Sequence, residues 1–312
     1  MIAPPVGIRL RAYKLDKAGI MSISSFRQRL RQMRKKTAYP VGHFYSPIPD
    51  REEARIAVDL AYARRNGIPA GIAIDDDAMQ SLWAKLVPFM ADAPFAELPG
   101  PGRRYFYDNP LYSYGDALVL HAILRLEQPD ILVEIGSGYS SAAVLDTREA
   151  FGYPRKIVCI EPYPDRLKSL LKPDDCAKTR VLEQKVQDTD MAVFSGLGAG
   201  DILFVDSSHV MKTGSDLSFI FHEILPGLAA GVIIHFHDIF WPFEYPRKWA
   251  VDENRAWNEI YAVRNFLMYN AVFEILFFNS YFAHMHGKTA RDDCPLFAKQ
   301  PGGGLWLKKR SR

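Results

Sequence analysis

The sequence predicts an α/β protein built on a doubly wound, mostly parallel sheet, and three observations carry that expectation. From about residue 130 onward, short apolar runs alternate with helix-sized spacers. Several of those runs end abruptly in Gly, Ser, Glu, Asp or His. Between the fourth and fifth runs, "GSDLSFIFHEILPGL" repeats Leu217, Ile220, Phe221, Ile224 and Leu228 at helical spacing, as an amphipathic crossover helix does.

The strands are expected at "ILVEIG" (131–136), "KIVCIEP" (156–162), "TRVLEQKV" (179–186), "DILFVDSS" (201–208) and "GVIIHFHD" (231–238). A helix follows in "AWNEIYAVRNFLMYN", then two further strands, "VFEILFFNS" (272–280) and "GGLWLKK" (303–309). No convincing helix separates these two, so they are expected to close a seven-strand sheet as a hairpin, with one strand antiparallel at the edge. Residues 1–110 read differently. Helical stretches near 22–36, 50–66 and 76–91 precede the turn-rich "ELPGPGRRYFYDNP", which predicts a basic arm and helical cap. Residues 111–312 form the second expected domain, with the helix "YGDALVLHAILRL" (114–126) feeding the first strand.

Composition narrows the function classes. The chain has 312 residues, 48% hydrophobic and 24% charged, as an ordinary globular protein does. Its three cysteines, Cys159, Cys176 and Cys294, form no zinc-type spacing, and a reduced, cytoplasmic setting is the simplest expectation. No apolar run is long enough for a membrane span, and no signal-peptide pattern stands at the start. Net charge is only +3, yet residues 1–40 carry ten Lys and Arg against one acid, Asp16. With only Phe26 interleaved in "FRQRLRQMRKK", a solvated helix face is favoured over a nucleic-acid contact.

Open α/β sheets bind ligands beyond the carboxyl ends of their strands, so those ends hold the candidate site. The first ends in Glu134, Gly136, Ser137, Gly138, Tyr139, Ser140 and Ser141. Glycines permit a tight turn and close ligand approach, and the following helix start offers unpaired N–H groups. The second ends in Glu161, 23 residues past Gly138, where an acid can accept hydrogen bonds from a ribose. Together they predict a nucleoside-containing ligand. Ser141 stands where a dinucleotide fingerprint has its third glycine, which disfavours NAD.

The fourth strand ends in Asp206, Ser207, Ser208 and His209, and the fifth in His235, His237 and Asp238. As neighbours these strands bring Asp206 and Asp238 together, and a divalent metal between them would relieve their repulsion. Oxygen ligands favour magnesium or manganese, and added imidazole favours a transition metal. Alternation places His235 and His237 on one face and Asp238 on the other unless the strand has already ended. His235 is expected in the core. His209 is the candidate general base, because an imidazole titrates near neutral pH.

At these residues the chain resembles a family. "ILVEIGSGYSSAAVLD", "CIEP", "GDILFVDSSHVMKTGSDL" and "GVIIHFHDIFWPFEYP" look like the motifs of bacterial class I S-adenosylmethionine-dependent methyltransferases with a Rossmann-like fold, over roughly residues 105–285. The resemblance implies that the glycine loop (Gly136, Gly138) passes the methionine part of the cofactor and that Glu161 holds the ribose. Candidate cofactor contacts are then Glu134, Gly136, Ser137, Gly138, Tyr139, Ser140, Glu161, Asp188 and Asp206. Asp206, His209 and the His237–Asp238 pair also resemble the metal site of catechol-type and macrolide-sugar O-methyltransferases, which implies Asp206, His237 and Asp238 as ligands of Mg or Mn. His237 departs from that pattern, where an acid is commoner.

The expected activity is O-methylation of a sugar or small metabolite, with His209 and Asp206 as its catalytic side chains. Trp241, Phe243, Tyr245 and Trp257 are candidates to line the acceptor site, with core packing as the competing role. The partners expected are a small-molecule or saccharide acceptor and, where the chain self-associates, a second copy in a homo-oligomer. Rival readings are a metal-dependent hydroxylase-like enzyme on the same fold, a non-catalytic cofactor-binding accessory protein, and a nicotinamide-dependent oxidoreductase.

Overall fold

The computed structural model of the protein describes residues 38–311, which divide into two compact units, Met1–Asp50 and Arg51–Arg312. The helix expected at 22–36, with its basic charges, lies outside the described residues. In the first unit, residues 38–50 form a series of turns in which the Tyr39 and His43 rings stack at 4.8 Å.

The second unit holds a seven-stranded sheet of order β3-β2-β1-β4-β5-β7-β6. Its strands are β1 (Ile131–Ile135), β2 (Lys156–Ile160), β3 (Thr179–Leu182), β4 (Ile202–Val205), β5 (Ile233–Phe236), β6 (Phe273–Phe278) and β7 (Leu305–Lys309). The first five pair in parallel, and β7 runs antiparallel to both β5 and β6. This is a Rossmann-like doubly wound sheet, with its order reversing between β1 and β4. Strand runs such as Leu132–Val133, Ile202–Val205 and Ile233–Ile234 are buried on both faces, which explains their unbroken hydrophobicity. Each such side chain contributes roughly 1.5–3 kcal/mol relative to exposure.

Every expected strand exists, but each is shorter than its sequence pattern. The polar residues at the carboxyl ends have already left the ladder. The third, fourth and fifth are each cut from eight residues to four, the third because Gln184 N–H turns back to the Leu182 carbonyl and a helical turn follows at Val186–Asp188.

The last two strands pair antiparallel as expected, but their connection and the place of the antiparallel strand are corrected. Three short helices, Asn279–Met285, Gly287–Asp293 and Pro295–Lys299, connect β6 to β7. β7 then inserts between β5 and β6, so the antiparallel strand lies one position inside the edge. Helices of five to seven residues are too short to display a period, which is why the pattern read as loop. They are held by packing: Trp83, from the helix Asp76–Met90, stacks on Phe282 at 4.5 Å and donates its indole N–H to Asp293 at 2.8 Å.

The crossover helix runs from Asp216 through a π turn at Ile220–Ile224 to Gly227, and the Ser215 hydroxyl caps it by accepting from Ser218 N–H. Before the sheet, Arg104 is buried among Asp146, Glu149 and Asp175, at 2.6–2.8 Å. Those pairs fasten the turn-rich segment to the helix after β1, and set Pro110–Tyr112 beside the strand ends. Among the described residues no helix is long and apolar enough to cross a membrane.

Candidate active site

The carboxyl ends of β1, β2, β4 and β5 open onto a cleft of about 330 Å³. It is bordered by Gly136–Ser140 and Glu161 on one side and by Asp206, His209, His237 and Asp238 on the other. A second cleft of about 450 Å³ adjoins it, sharing Gly136, Glu161, Asp206 and Ser207 and running toward Lys185–Gln187. Glu161 thus stands at the junction. Its two oxygens accept from Ser137 N–H (3.3 Å) and Tyr163 N–H (2.8 Å), which fixes the carboxylate there.

The two glycines of the turn have different roles. Gly136 has φ +80°, and a Cβ on it would lie 1.7 Å from the Asp206 carbonyl oxygen. Its missing side chain makes room for the backbone of β4, not for a ligand. Gly138 is the position that faces the cleft, where a Cβ would meet only the flexible Arg166 side chain at 3.3 Å. The helix Tyr139–Phe151 starts there, at the border of the cleft, and a helix start carries N–H groups with no partner inside the helix.

Glu134 does not border the cleft. It is fully buried, accepts hydrogen bonds from the Ser140 hydroxyl (2.6 Å) and the Ser141 hydroxyl, and so ties the helix start to β1. Ser141, at the third-glycine position, also accepts from Gly138 N–H at 3.0 Å. Asp188 is exposed and lies just beyond Lys185–Gln187 rather than on the cleft wall.

Burial pushes the Glu134 carboxyl up to about 7, against the pull of the two serine hydroxyls. The folded chain therefore holds a proton that the unfolded chain releases from about 4.5 upward. This contribution to stability is fully present below 4.5 and is lost as pH rises through about 7, on the order of 3 kcal/mol. Thermal melts between pH 5 and 8 are expected to show a falling Tm, and Glu134→Gln should flatten that slope. An equally steep slope in the variant would assign it elsewhere.

The opposite wall carries a charged cluster. His237 N–H bonds to the Val205 carbonyl at 2.9 Å, and there β5 ends. Asp238 takes φ +57°, which removes it from strand alternation, and its carboxylate meets His237 at 3.4 Å and His209 at 3.6 Å. His209 also has positive φ, +59°, and its Nε2 lies 3.5 Å from Asp206. Two non-glycine residues in the left-handed region at one site store strain that the surroundings must hold.

What holds His209 is the segment before the helix Glu259–Leu267. The His209 carbonyl accepts from Asn258 and Glu259 N–H, and the Asn258 side chain brackets Met211. The buried Glu259 carboxylate accepts from His209 Nδ1 at 2.7 Å. A carboxylate only accepts, so this bond places the proton on Nδ1 and leaves Nε2 facing the cleft. The next helix begins seven residues on, at Asp216, so His209 is not a cap.

Burial alone would disfavour the charged imidazole, but Asp206 and Glu259 outweigh it and hold His209 well above its usual range. For Asp206 burial works upward, and His237 and His209 overcome it to keep the carboxyl below its usual range. Asp238 and Glu259 remain raised by burial. His235 is core, as expected: it is fully buried between Phe204 (4.1 Å) and Trp306 (4.3 Å), and burial depresses it.

The expected metal ligands Asp206, His237 and Asp238 are brought together: His237 Nε2 meets Asp238, His209 Nε2 lies near both Asp206 and Asp238, and His237 Nδ1 is buried without a hydrogen-bond partner among the described residues. Among the described residues no group of three or more His, Cys, Asp and Glu could hold a metal ion. The side chains as placed do not fit a metal ion. The cofactor fits better. The glycine turn, the helix start, Glu161 and the buried, unpartnered Ser207 hydroxyl face two connected clefts able to take an elongated nucleoside.

Four residues of this site were not singled out from the sequence: Arg166, Trp249, Arg255 and Glu259. Trp257 does border the cleft, whereas Trp241, Phe243 and Tyr245 are core; the Trp241 indole N–H bonds to the Arg65 carbonyl at 2.7 Å.

Comparison with known proteins finds an uncharacterized protein of Archaeoglobus fulgidus, 29% identical over 164 residues, which cover 51% of this chain and 73% of that one. Among solved structures, the SAH-bound methyltransferase PaMTH1 of Podospora anserina is 17% identical, with 88% of this chain and 99% of that chain covered at a TM-score of 0.40. The O-methyltransferase TomG of Streptomyces achromogenes, solved with SAM, is 15% identical, with 84% and 99% covered at a TM-score of 0.40. Residues 133–239, the segment from β1 to just past β5 that supplies both walls of the cleft, match the family model of a methyltransferase domain.

Proposed function

We propose that this protein transfers a methyl group from S-adenosylmethionine to a hydroxyl oxygen of a small molecule or sugar, with His209 as general base. The observation that carries the proposal is the His209 arrangement: Nδ1 tied to Glu259 at 2.7 Å and Nε2 turned into the cleft beside Asp206 and Asp238. The methyltransferase-domain match supports the cofactor class.

In this reading Glu161 accepts from the ribose hydroxyls, and the start of the helix Tyr139–Phe151, with Arg166 opposite Gly138, takes the methionine carboxylate. The cofactor supplies an activated methyl group on a sulfonium. The protein has to align the acceptor oxygen with it, exclude water and take the hydroxyl proton at His209 Nε2. Buried free thiols at Cys159 and Cys294 support a reduced, cytoplasmic setting.

Calorimetric titration of S-adenosylmethionine tests the first step. Saturable binding is expected, weakened tenfold or more in Glu161→Ala, because hydrogen bonds to a charged acceptor are worth about 1.5–3 kcal/mol. No binding to the parent protein would overturn the proposal. Metal assistance is a separate question for the same titration: a saturable heat from magnesium or manganese, lost in Asp238→Asn, would establish it.

A further inference from the structure

The segment after β5 carries a feature that proton abstraction does not use. Arg255 borders the same cleft as His209 and Asp238, with its guanidinium over two indole rings, 4.1 Å from Trp249 and 4.6 Å from Trp257. Trp257 in turn lies against His209, with ring centroids 4.3 Å apart. The residues on either side, Asn254 and Ala256, have positive φ of +49° and +53°. Left-handed backbone is disfavoured at non-glycine residues, less so at Asn than at Ala, and here it is adopted on both sides of one arginine.

The guanidinium is only partly engaged. Its Nε donates to Glu253 at 2.6 Å, and no hydrogen bond from its terminal nitrogens appears among the described residues. An arginine seated against two indole rings that meet at 74°, with one edge anchored and the other open, presents a preorganised fork for an oxyanion. Among the described residues, Arg166 and Arg255 are the two arginines that border the cleft, and Arg255 keeps its terminal nitrogens free while Glu253 holds its Nε.

We infer that Arg255, seated in the corner that Trp249 and Trp257 make, is a specificity residue that binds an oxyanion of the acceptor, a carboxylate or a phosphate monoester, while the acceptor hydroxyl faces His209. This deepens the methyltransferase reading and rests on it. Trp249 also borders a third cleft of about 460 Å³, which meets the first at His237 and Asp238 and gives the body of such a molecule a place to lie.

The two indoles make the test independent of turnover. Full-length protein is saturated with S-adenosylhomocysteine and titrated with benzoate, phenyl phosphate or neutral benzamide, following tryptophan fluorescence. A saturable change is expected with benzoate or phenyl phosphate, whichever oxyanion the site takes, and none with benzamide. Arg255→Gln should weaken that response tenfold or more, and Arg255→Lys by less, with S-adenosylhomocysteine affinity unchanged in both. Equal responses to benzamide and the anions, no response to either anion, or an undiminished response in Arg255→Gln, would overturn the inference with cofactor binding intact. Failure of S-adenosylhomocysteine to bind the parent protein would instead remove the reading beneath it.

Discussion

Replacing Gly136 with alanine is expected to abolish cofactor binding and to destabilise the fold by roughly 3 kcal/mol or more, from left-handed strain plus a backbone collision. The added methyl would sit 1.7 Å from the Asp206 carbonyl oxygen and 2.7 Å from its carbon, atoms that no rotamer change can move. Relief requires β1 and β4 to separate at their carboxyl ends. That breaks the bonds from Asp206 N–H to the Ile135 carbonyl (2.9 Å) and from Gly136 N–H to the Ile160 carbonyl (3.0 Å). Both walls of the cleft move with them. Gly138→Ala is the control. Gly138 is extended, and its new methyl meets only Arg166 Cδ at 3.3 Å, so the fold should survive with a modest loss of affinity. Thermal unfolding and S-adenosylmethionine titration of the two variants decide it. Equal behaviour would mean that the β1–β4 contact does not control the site.

The sheet was legible because its strands are buried on both faces and therefore read as continuous apolar runs. The positions of Gly136, Glu161, Asp206 and His209 followed, since each stands directly after such a run. What stayed hidden depends on contacts between distant segments. Glu259 lies fifty residues from His209 and reads locally as an ordinary acid in the first turn of a helix. Arg255 stands in a stretch with no periodicity, and only the fold brings Trp249 and Trp257 together against it. Alternation alone left the face of Asp238 dependent on where β5 stops. β5 ends at Phe236, and the left-handed backbone of Asp238 turns its carboxylate to His237. Glu134 and Ser141 fell inside the recognised motif, yet their chemistry is internal: they fasten the glycine turn from behind.

The His209–Glu259 pair yields the second large effect. His209→Asn is expected to lower methyl transfer by about 10²–10⁴-fold while leaving cofactor affinity within about twofold. Asparagine is the informative choice because it tolerates the positive φ at this position better than alanine. Glu259 acts through His209, so its substitution should do something different. Its carboxylate stabilises the imidazolium, and Glu259→Gln removes that charge while keeping a group able to accept from Nδ1. His209 should then lose its proton at lower pH. Nitrogen-detected NMR of the ring reads that shift directly, without an acceptor. Where transfer is measured, the rate rises with pH as His209 becomes a free base, and this limb should move to lower pH in Glu259→Gln. The plateau should fall as well, because a neutral amide orients the ring less firmly than a carboxylate. A merely structural Glu259 would lower stability and leave the His209 titration where it was. An unmoved His209 titration, in a variant that folds and binds cofactor, would separate Glu259 from the proton-transfer step.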